Sequence, residues 1–168
     1  SGDVILKEYC TIEEEDTLGT LHDKLKKIGA KGLEKAIDLI ESGKVIAEKQ
    51  DESLVTFVKP ISKEQEIIDW SDTKENIYNK IRGLNPFPGA LSYYDDQIIK
   101  VYLSEKIDKE YDGEYGEVVE IINKKGPVVK VKNGGIILKE VKFQGKKSQS
   151  GIDIINGRKI ILNSKFGK

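Results

Sequence analysis

The ten residues Ile81-Arg82-Gly83-Leu84-Asn85-Pro86-Phe87-Pro88-Gly89-Ala90 constrain this chain more than any other stretch. A helical pattern of Ile77, Ile81 and Leu84 runs into them, and a strand pattern runs out. Each proline fixes its own φ and pushes the preceding residue towards extended geometry. Asn85 and Phe87 are therefore expected to be extended, and the helix is expected to stop near Gly83. The segment reads as a rigid corner that aims one set of elements at another, with Phe87 expected as a buried ring.

Beyond the corner the period changes from helical to alternating. Leu91 to Tyr94 and Ile98 to Leu103 flank Asp95-Asp96, a hairpin turn. Ile99, Val101 and Leu103 alternate with Lys100, Tyr102 and Ser104. Further strands are expected at Glu117 to Ile122, Val128 to Lys132 and Ile136 to Phe143, with turns at 123–127 and Asn133-Gly134-Gly135. Short strands joined by tight turns predict a small, closed or nearly closed antiparallel barrel. A short helix over Ser148 to Asn156 and an extended piece over Ile160 to Leu162 complete this half.

Before the corner the pattern is mostly helical. Val4 to Tyr9 suits a strand. Thr17 is a natural N-cap, preceded by Glu13, Glu14, Glu15 and Asp16 near the positive helix end. Leu18, Leu21, Leu25 and Ile28 predict a first helix ended by Gly29. Leu33, Ala36, Ile37 and Ile40 predict a second, from about Lys31 to Ser42, ended by Gly43. One strand and two helices are too little to close a core. Lys44 to Pro60 reads as an extended connector with a strand-like piece at Leu54 to Val58. Ser62 to Gln65 fits a capping box, and Ser71 or Thr73 caps the helix that leads into the corner.

Composition excludes several classes. In 168 residues there is one Cys and one His, so neither an internal disulfide nor a Cys/His metal site can form. No apolar run approaches the roughly 18 residues a membrane span needs. No signal peptide is visible at Ser1-Gly2-Asp3, and a cytoplasmic location is expected. The lack of methionine predicts a fragment or a processed product. Net charge is −1 but uneven: residues 105–120 carry seven acids against two lysines, and residues 123–168 carry twelve bases against two acids. A segment of that density attracts polyanions.

No nucleophile–base pair is apparent. His22 reads as a solvated helix residue, Asp95-Asp96 as a turn, and Gly134-Gly135 as too short to cradle phosphate. A barrel with a lysine-rich flank holds nucleic acid through its phosphates. Because only Arg82 and Arg158 are arginines, backbone recognition is expected rather than base reading. Tyr93, Tyr94 and Tyr102 read first as barrel packing and second as base-stacking rings.

The corner segment resembles the "IRAFNPWPGA" stretch of methionyl-tRNA formyltransferases. Residues 16–25, Asp-Thr-Leu-Gly-Thr-Leu-His-Asp-Lys-Leu, resemble their "DTAGTLHDKL" helix. Gln50-Asp51 with Leu54 to Phe57, and Ser62-Lys63-Glu64 with Ile68-Asp69-Trp70, match "QD…TYA" and "SKEE…IDW" in the same order. Gly145-Lys146-Lys147 and Asn156-Gly157-Arg158 extend the match weakly to the end. Phe87 stands where the family has Trp, and Pro60 where a linker lysine is common.

The resemblance implies an enzyme that moves a formyl group from 10-formyltetrahydrofolate to the amino group of methionine on initiator methionyl-tRNA. The family's catalytic Asn and His motif is absent here, and its catalytic Asp falls just before Ser1, with Asp3 matching a non-catalytic Asp. Residues 1–43 are then the end of a Rossmann-like catalytic domain, 44–62 a linker, and 63–168 an OB-like tRNA-binding barrel with a leading helix, α+β overall. The chain alone is expected to be inactive, to hold no cofactor or metal, and to self-associate through its incomplete catalytic remnant. Expected tRNA contacts are Lys63, Arg82, Lys124, Lys125, Lys130, Lys132, Lys146, Lys147, Arg158 and Lys159. A sugar-nucleotide formyltransferase and a free-standing RNA-binding barrel are the alternatives.

Overall fold

The computed structural model describes residues 2–167. Two compact units divide the chain, Ser1–Pro60 and Ile61–Lys168.

The first unit is built on one helix, α1 (Leu18–Glu41). Thr17 caps it: the Thr20 amide donates to Thr17 Oγ1, and Thr17 N–H donates to Thr20 Oγ1 at 2.9 Å. The two helices expected on either side of Gly29 are a single one. Glycine ends a helix where the backbone turns left-handed, and that turn comes only at Gly43, with φ +65°, after the Ser42 cap. Gly29 and Gly32 stay inside the helix. Gly32 admits a close neighbour, since an added Cβ would lie 3.2 Å from Glu8 Cγ. Glu8 in turn accepts from Lys35 Nζ at 2.6 Å.

Neither strand expected in this unit forms. Over Val4 to Tyr9 the only backbone pairing among the described residues is an antiparallel bridge between Val4 and Glu48, and a strand needs a partner along its length. Leu54 to Val58 is preceded by a 3-10 turn at Glu52–Leu54 and makes no ladder among the described residues. The apolar stripe of α1 also remains in solvent within the described residues: Leu33 is 63% exposed, and Gly32 is the helix's one buried residue.

The second unit opens with α2 (Lys63–Glu66), where Ser62 N–H donates to Gln65 Oε1 at 2.8 Å. Next is α3 (Lys74–Gly83), capped by Thr73, with Ile77 and Ile81 buried. Six antiparallel strands follow: β1 (Ala90–Tyr94), β2 (Gln97–Ile107), β3 (Val118–Ile122), β4 (Gly126–Val131), β5 (Gly134–Phe143) and β6 (Gln149–Ser150). They form one sheet in the order β1-β2-β5-β4-β3, with β6 on β5. The short helix α4 (Gly151–Asn156) closes the set, capped by Ser150. The fold is therefore α+β around an antiparallel sheet.

Turn chemistry fixes the hairpins. Asp95 and Asp96 take φ of +50° and +57°, the left-handed values a two-residue hairpin needs. On β2, Ile99 and Val101 are buried as the alternation predicts, but Leu103 is 41% exposed. A register shift against β5 at Leu103 breaks the alternation there.

Irregular segments cover the sheet's edges. Residues 67–74 bridge Leu91 on β1 and Lys132 just beyond β4. Residues 163–167 reach both outer strands: Val118 N–H donates to the Ser164 carbonyl, and Gly167 N–H to the Tyr93 carbonyl. The extended piece expected over Ile160 to Leu162 forms no strand: the tail turns at residues 162–163 and pairs with the sheet only at Lys165 and Phe166 among the described residues. Phe166 then plugs the core, 5.3 Å from the Trp70 ring and 4.9 Å from that of Tyr94. Trp70 Nε1 donates to Ser92 Oγ at 2.8 Å, so the buried indole leaves no polar atom unmet.

Candidate nucleic-acid interface

The corner stands over a concavity of the second unit. Helix α3 ends at Gly83, and Leu84 to Pro88 form turns. Asn85 Nδ2 fastens them to β2 by donating to the Tyr102 carbonyl at 2.8 Å, and Gly89 N–H closes the turn by donating to the Leu84 carbonyl at 2.8 Å. Gly89 has φ +86°, and an added Cβ would sit 2.9 Å from the Tyr102 ring, so only glycine lets corner and ring approach. Phe87, expected to be buried, is 78% exposed. The prolines and the Asn85 bond hold the turn outside the core, so the ring has no apolar partner layer to enter.

Beneath the corner lies a cavity of about 720 Å³, walled by Phe87, Tyr93, Tyr102 and the two prolines, with Lys63, Lys100 and Lys142 among its lining. Strand register assembles it. Leu91, Lys100 and Lys142 are matched across β1, β2 and β5, on the sheet face opposite Ile99, Val101 and Val141. Lys100 is held: it lies 3.6 Å from Glu66 and donates to the Pro88 carbonyl. Lys142 is exposed, and its side chain makes no hydrogen bond or ion pair among the described residues. A second cavity, about 230 Å³, shares Phe143 with the first and is lined by Lys146, Lys159 and Asp95.

The ten expected contacts divide. Lys63 stands at the first cavity, and Lys146 and Lys159 share the second. Lys159 also donates to Gln149 at 2.7 Å. Lys147 follows Lys146 on the exposed β5–β6 turn, and Arg158 lies past α4 with φ +48°. Lys124 and Lys125 occupy the β3–β4 turn, and Lys125 meets Glu105 at 2.5 Å. Lys130 covers the Tyr115 ring, 5.8 Å from its centre, and lines a separate hollow with Lys165. Lys132 is exposed beyond β4, where its backbone pairs with Asp72 and Lys74. Arg82 on α3 donates to Asn79 and faces the Tyr78 ring.

The acidic run offsets part of the basic one. Glu105 faces both Lys125 and Lys139, and its carboxyl is held below the usual range, first by the Lys125 hydrogen bond. Glu114 pairs with Lys165 in the same way. These partners are distant in sequence, so a charge count along the chain overstates the free cationic surface. Conversely, Lys100 and Lys142 line the first cavity without being among the ten, although the β2 alternation already puts Lys100 on the outward face. Among the described residues no group of three His, Cys, Asp or Glu side chains could hold a metal, and no helix is long and apolar enough to cross a membrane.

Comparison with known proteins places the chain. Methionyl-tRNA formyltransferase from Fusobacterium nucleatum is 49% identical over 167 residues, covering 99% of this chain and 54% of that protein. The Bacillus subtilis methionyl-tRNA formyltransferase is 41% identical over 168 residues, covering 99% and 53%. The chain thus spans about half the length of these relatives. Among solved structures, Aquifex aeolicus HypX in complex with tetrahydrofolic acid superposes with a TM-score of 0.72 at 14% identity, covering 96% of this chain and 28% of that one. That likeness concerns the fold alone. The family model described as "Formyl transferase, C-terminal domain" matches residues 60–159, and the chain belongs to that family.

Proposed function

We propose that this chain is the tRNA-binding carboxy-terminal part of a methionyl-tRNA formyltransferase, which transfers the formyl group of 10-formyltetrahydrofolate to the amino group of methionine on initiator tRNA. The observation that carries this is identity of 39–49% with enzymes of that name over nearly all of its length. Residues 1–43 belong on this reading to the catalytic domain, and residues 44–62 to the linker. The solvent-facing apolar residues of α1, Leu25, Leu33, Ile37 and Ile40, fit a surface completed by more of that domain. The alternative cover is a second copy of the chain. The catalytic residues and the folate co-substrate belong to the remainder of the enzyme, so residues 1–168 alone are inactive. The location is cytoplasmic, with initiator tRNA.

Residues 63–168 act as an OB-like barrel. The support is the antiparallel sheet whose two outer strands are both bonded by residues 163–167. Its lysines hold phosphates as point charges and leave sequence reading to other groups. Filter binding of the chain to initiator tRNA across a salt series tests this. Affinity should fall steeply with salt. Replacing Lys146, Lys147 and Arg158 by Ala should weaken binding and flatten the slope by about 0.7–0.9 for each phosphate no longer neutralised. No binding at low salt, or a flat response, would reject the reading.

A further inference from the structure

We propose that the cavity beneath the proline corner receives one unpaired nucleotide of an RNA single strand, its base stacked on Phe87 and its backbone running past Lys142 towards Lys146 and Lys159. This rests on the RNA-binding reading above and names the class of structure the domain takes. Three observations carry it.

The first is the lining. A site for duplex phosphates alone has no use for aromatic walls. Here Phe87 is 78% exposed, and Tyr93 and Tyr102 stand half-buried around the same hollow. A large ring left in water on a turn anchored at both ends is a stacking platform of the kind single-strand binders use. The volume, about 720 Å³, lies in the range of small-ligand sites, about 300–1,000 Å³. A splayed base fits such a hollow, whereas a base pair buried in a helix cannot enter it.

The second is the distribution of charge. Glu64 lines the cavity beside Lys63, and its carboxyl is held below the usual range, first by the neighbouring Ser62 hydroxyl, so this end is anionic. Lys100 is already engaged by Glu66. At the other end, the Lys142 side chain is unpaired among the described residues, and Phe143 lines both this cavity and the one where Lys146 and Lys159 outnumber Asp95. A phosphate chain is repelled at the Glu64 end and drawn out at the Lys142 end, which gives the strand a direction.

The third is register. Lys100 and Lys142 are direct cross-strand partners, and like charges so placed oppose each other. Glu66 and the Pro88 carbonyl draw Lys100 to the corner, which leaves Lys142 available to an outside anion.

Fluorescence anisotropy on the 168-residue chain tests the proposal, with three probes: a six-nucleotide single-stranded RNA, the same sequence as a duplex, and initiator tRNA. Phe87→Ala should weaken the single strand about 5- to 150-fold, the loss of one stacked base, with its salt slope unchanged. Duplex binding should not move. Lys142→Ala should lower the salt slope for the single strand by about 0.7, and Glu64→Gln should tighten binding. Phe87→Leu separates stacking from greasy contact: it should bind as poorly as Phe87→Ala. If leucine restores affinity, the hollow is an apolar dock for a protein and the proposal falls. If Phe87→Ala is silent while the Lys146, Lys147 and Arg158 variant loses tRNA, the proposal falls and the RNA reading stands. If no probe binds, both fall. Because Phe87 is exposed, both variants should melt like the parent by Trp70 fluorescence; should the alanine variant melt early, the leucine variant alone decides.

Discussion

Helix α1 and strand β2 carry equally regular apolar spacing, yet they end in opposite environments. On β2, Ile99 and Val101 are wholly buried, each with strands on both sides and helix α3 or the tail above. On α1, Leu25, Leu33, Ile37 and Ile40 face solvent within the described residues. Periodicity reports which face a sequence offers for burial; it does not report what comes to cover it. Within 61–168 the cover is supplied by the unit itself. Within 1–60, α1 rests on its cap, on the Glu8–Lys35 pair and on the Gly32 contact, and a helix held mainly by local terms is marginal in water.

The sharpest break of that contrast is a denaturation read two ways. Trp70 is the chain's one tryptophan and sits in the core of the second unit, so its fluorescence follows that unit alone. Ellipticity at 222 nm follows α1 as well, the longest helix by far. The helix signal should fall at lower denaturant than the tryptophan signal. Leu138→Ala empties a wholly buried site on β5 and should cost about 2–5 kcal/mol, shifting the tryptophan midpoint while the early phase stays in place. Coincident transitions in the parent chain would show that the two units stand or fall together and would end the contrast.

A smaller effect sharpens it from inside the core. Trp70→Phe keeps an aromatic ring against Phe166 but removes the Nε1 donor, leaving Ser92 Oγ buried with only a 3.5 Å contact of its own to the Tyr93 carbonyl. Losing the partner of a buried polar group costs about 1–3 kcal/mol. Near-ultraviolet circular dichroism of the tyrosines and thermal melting would record it; an unchanged melting temperature would show that water reaches Ser92.

How much was readable in advance follows the range of each interaction. Turns and caps are set by a few adjacent residues: Asp95-Asp96, Asn133-Gly134 and Thr17 fall where the sequence puts them, and of the alternatives Ser71 and Thr73 it is Thr73 that caps α3. Gly29 does not end the helix because glycine permits a helix end without compelling one; its penalty of about 1 kcal/mol weakens α1 without breaking it. Val4 to Tyr9 forms no strand because a strand is a relation between segments, and among the described residues only Val4 finds a partner. Lys100 and Lys142 escaped for the same reason. Forty-two positions separate them, and only the β2–β5 register makes them neighbours. Charge runs mislead most of all, since Glu105 and Glu114 answer lysines far along the chain.

The smallest effect tests whether α1 is locally held. Asp16 is 7% exposed and accepts from Lys24 Nζ at 2.6 Å, from the Glu13 amide at 2.8 Å and from Thr20 Oγ1 at 2.9 Å. These bonds, led by that from Lys24, lower its pKa from 3.8 to about 2. A carboxylate with a depressed folded-state pKa stabilises the fold above its unfolded value and loses that contribution as pH falls through the folded one. Helix signal should therefore decline between about pH 4 and pH 2 in the parent chain. Asp16→Asn should start with less helix at neutral pH and show a shallower decline, since the amide cannot titrate and binds Lys24 without charge. The difference between the two curves isolates Asp16 from Glu8, Asp51 and the other carboxylates. Parallel curves would mean that the Lys24 contact does not hold the helix start, and the contrast would then rest on the exposed stripe alone.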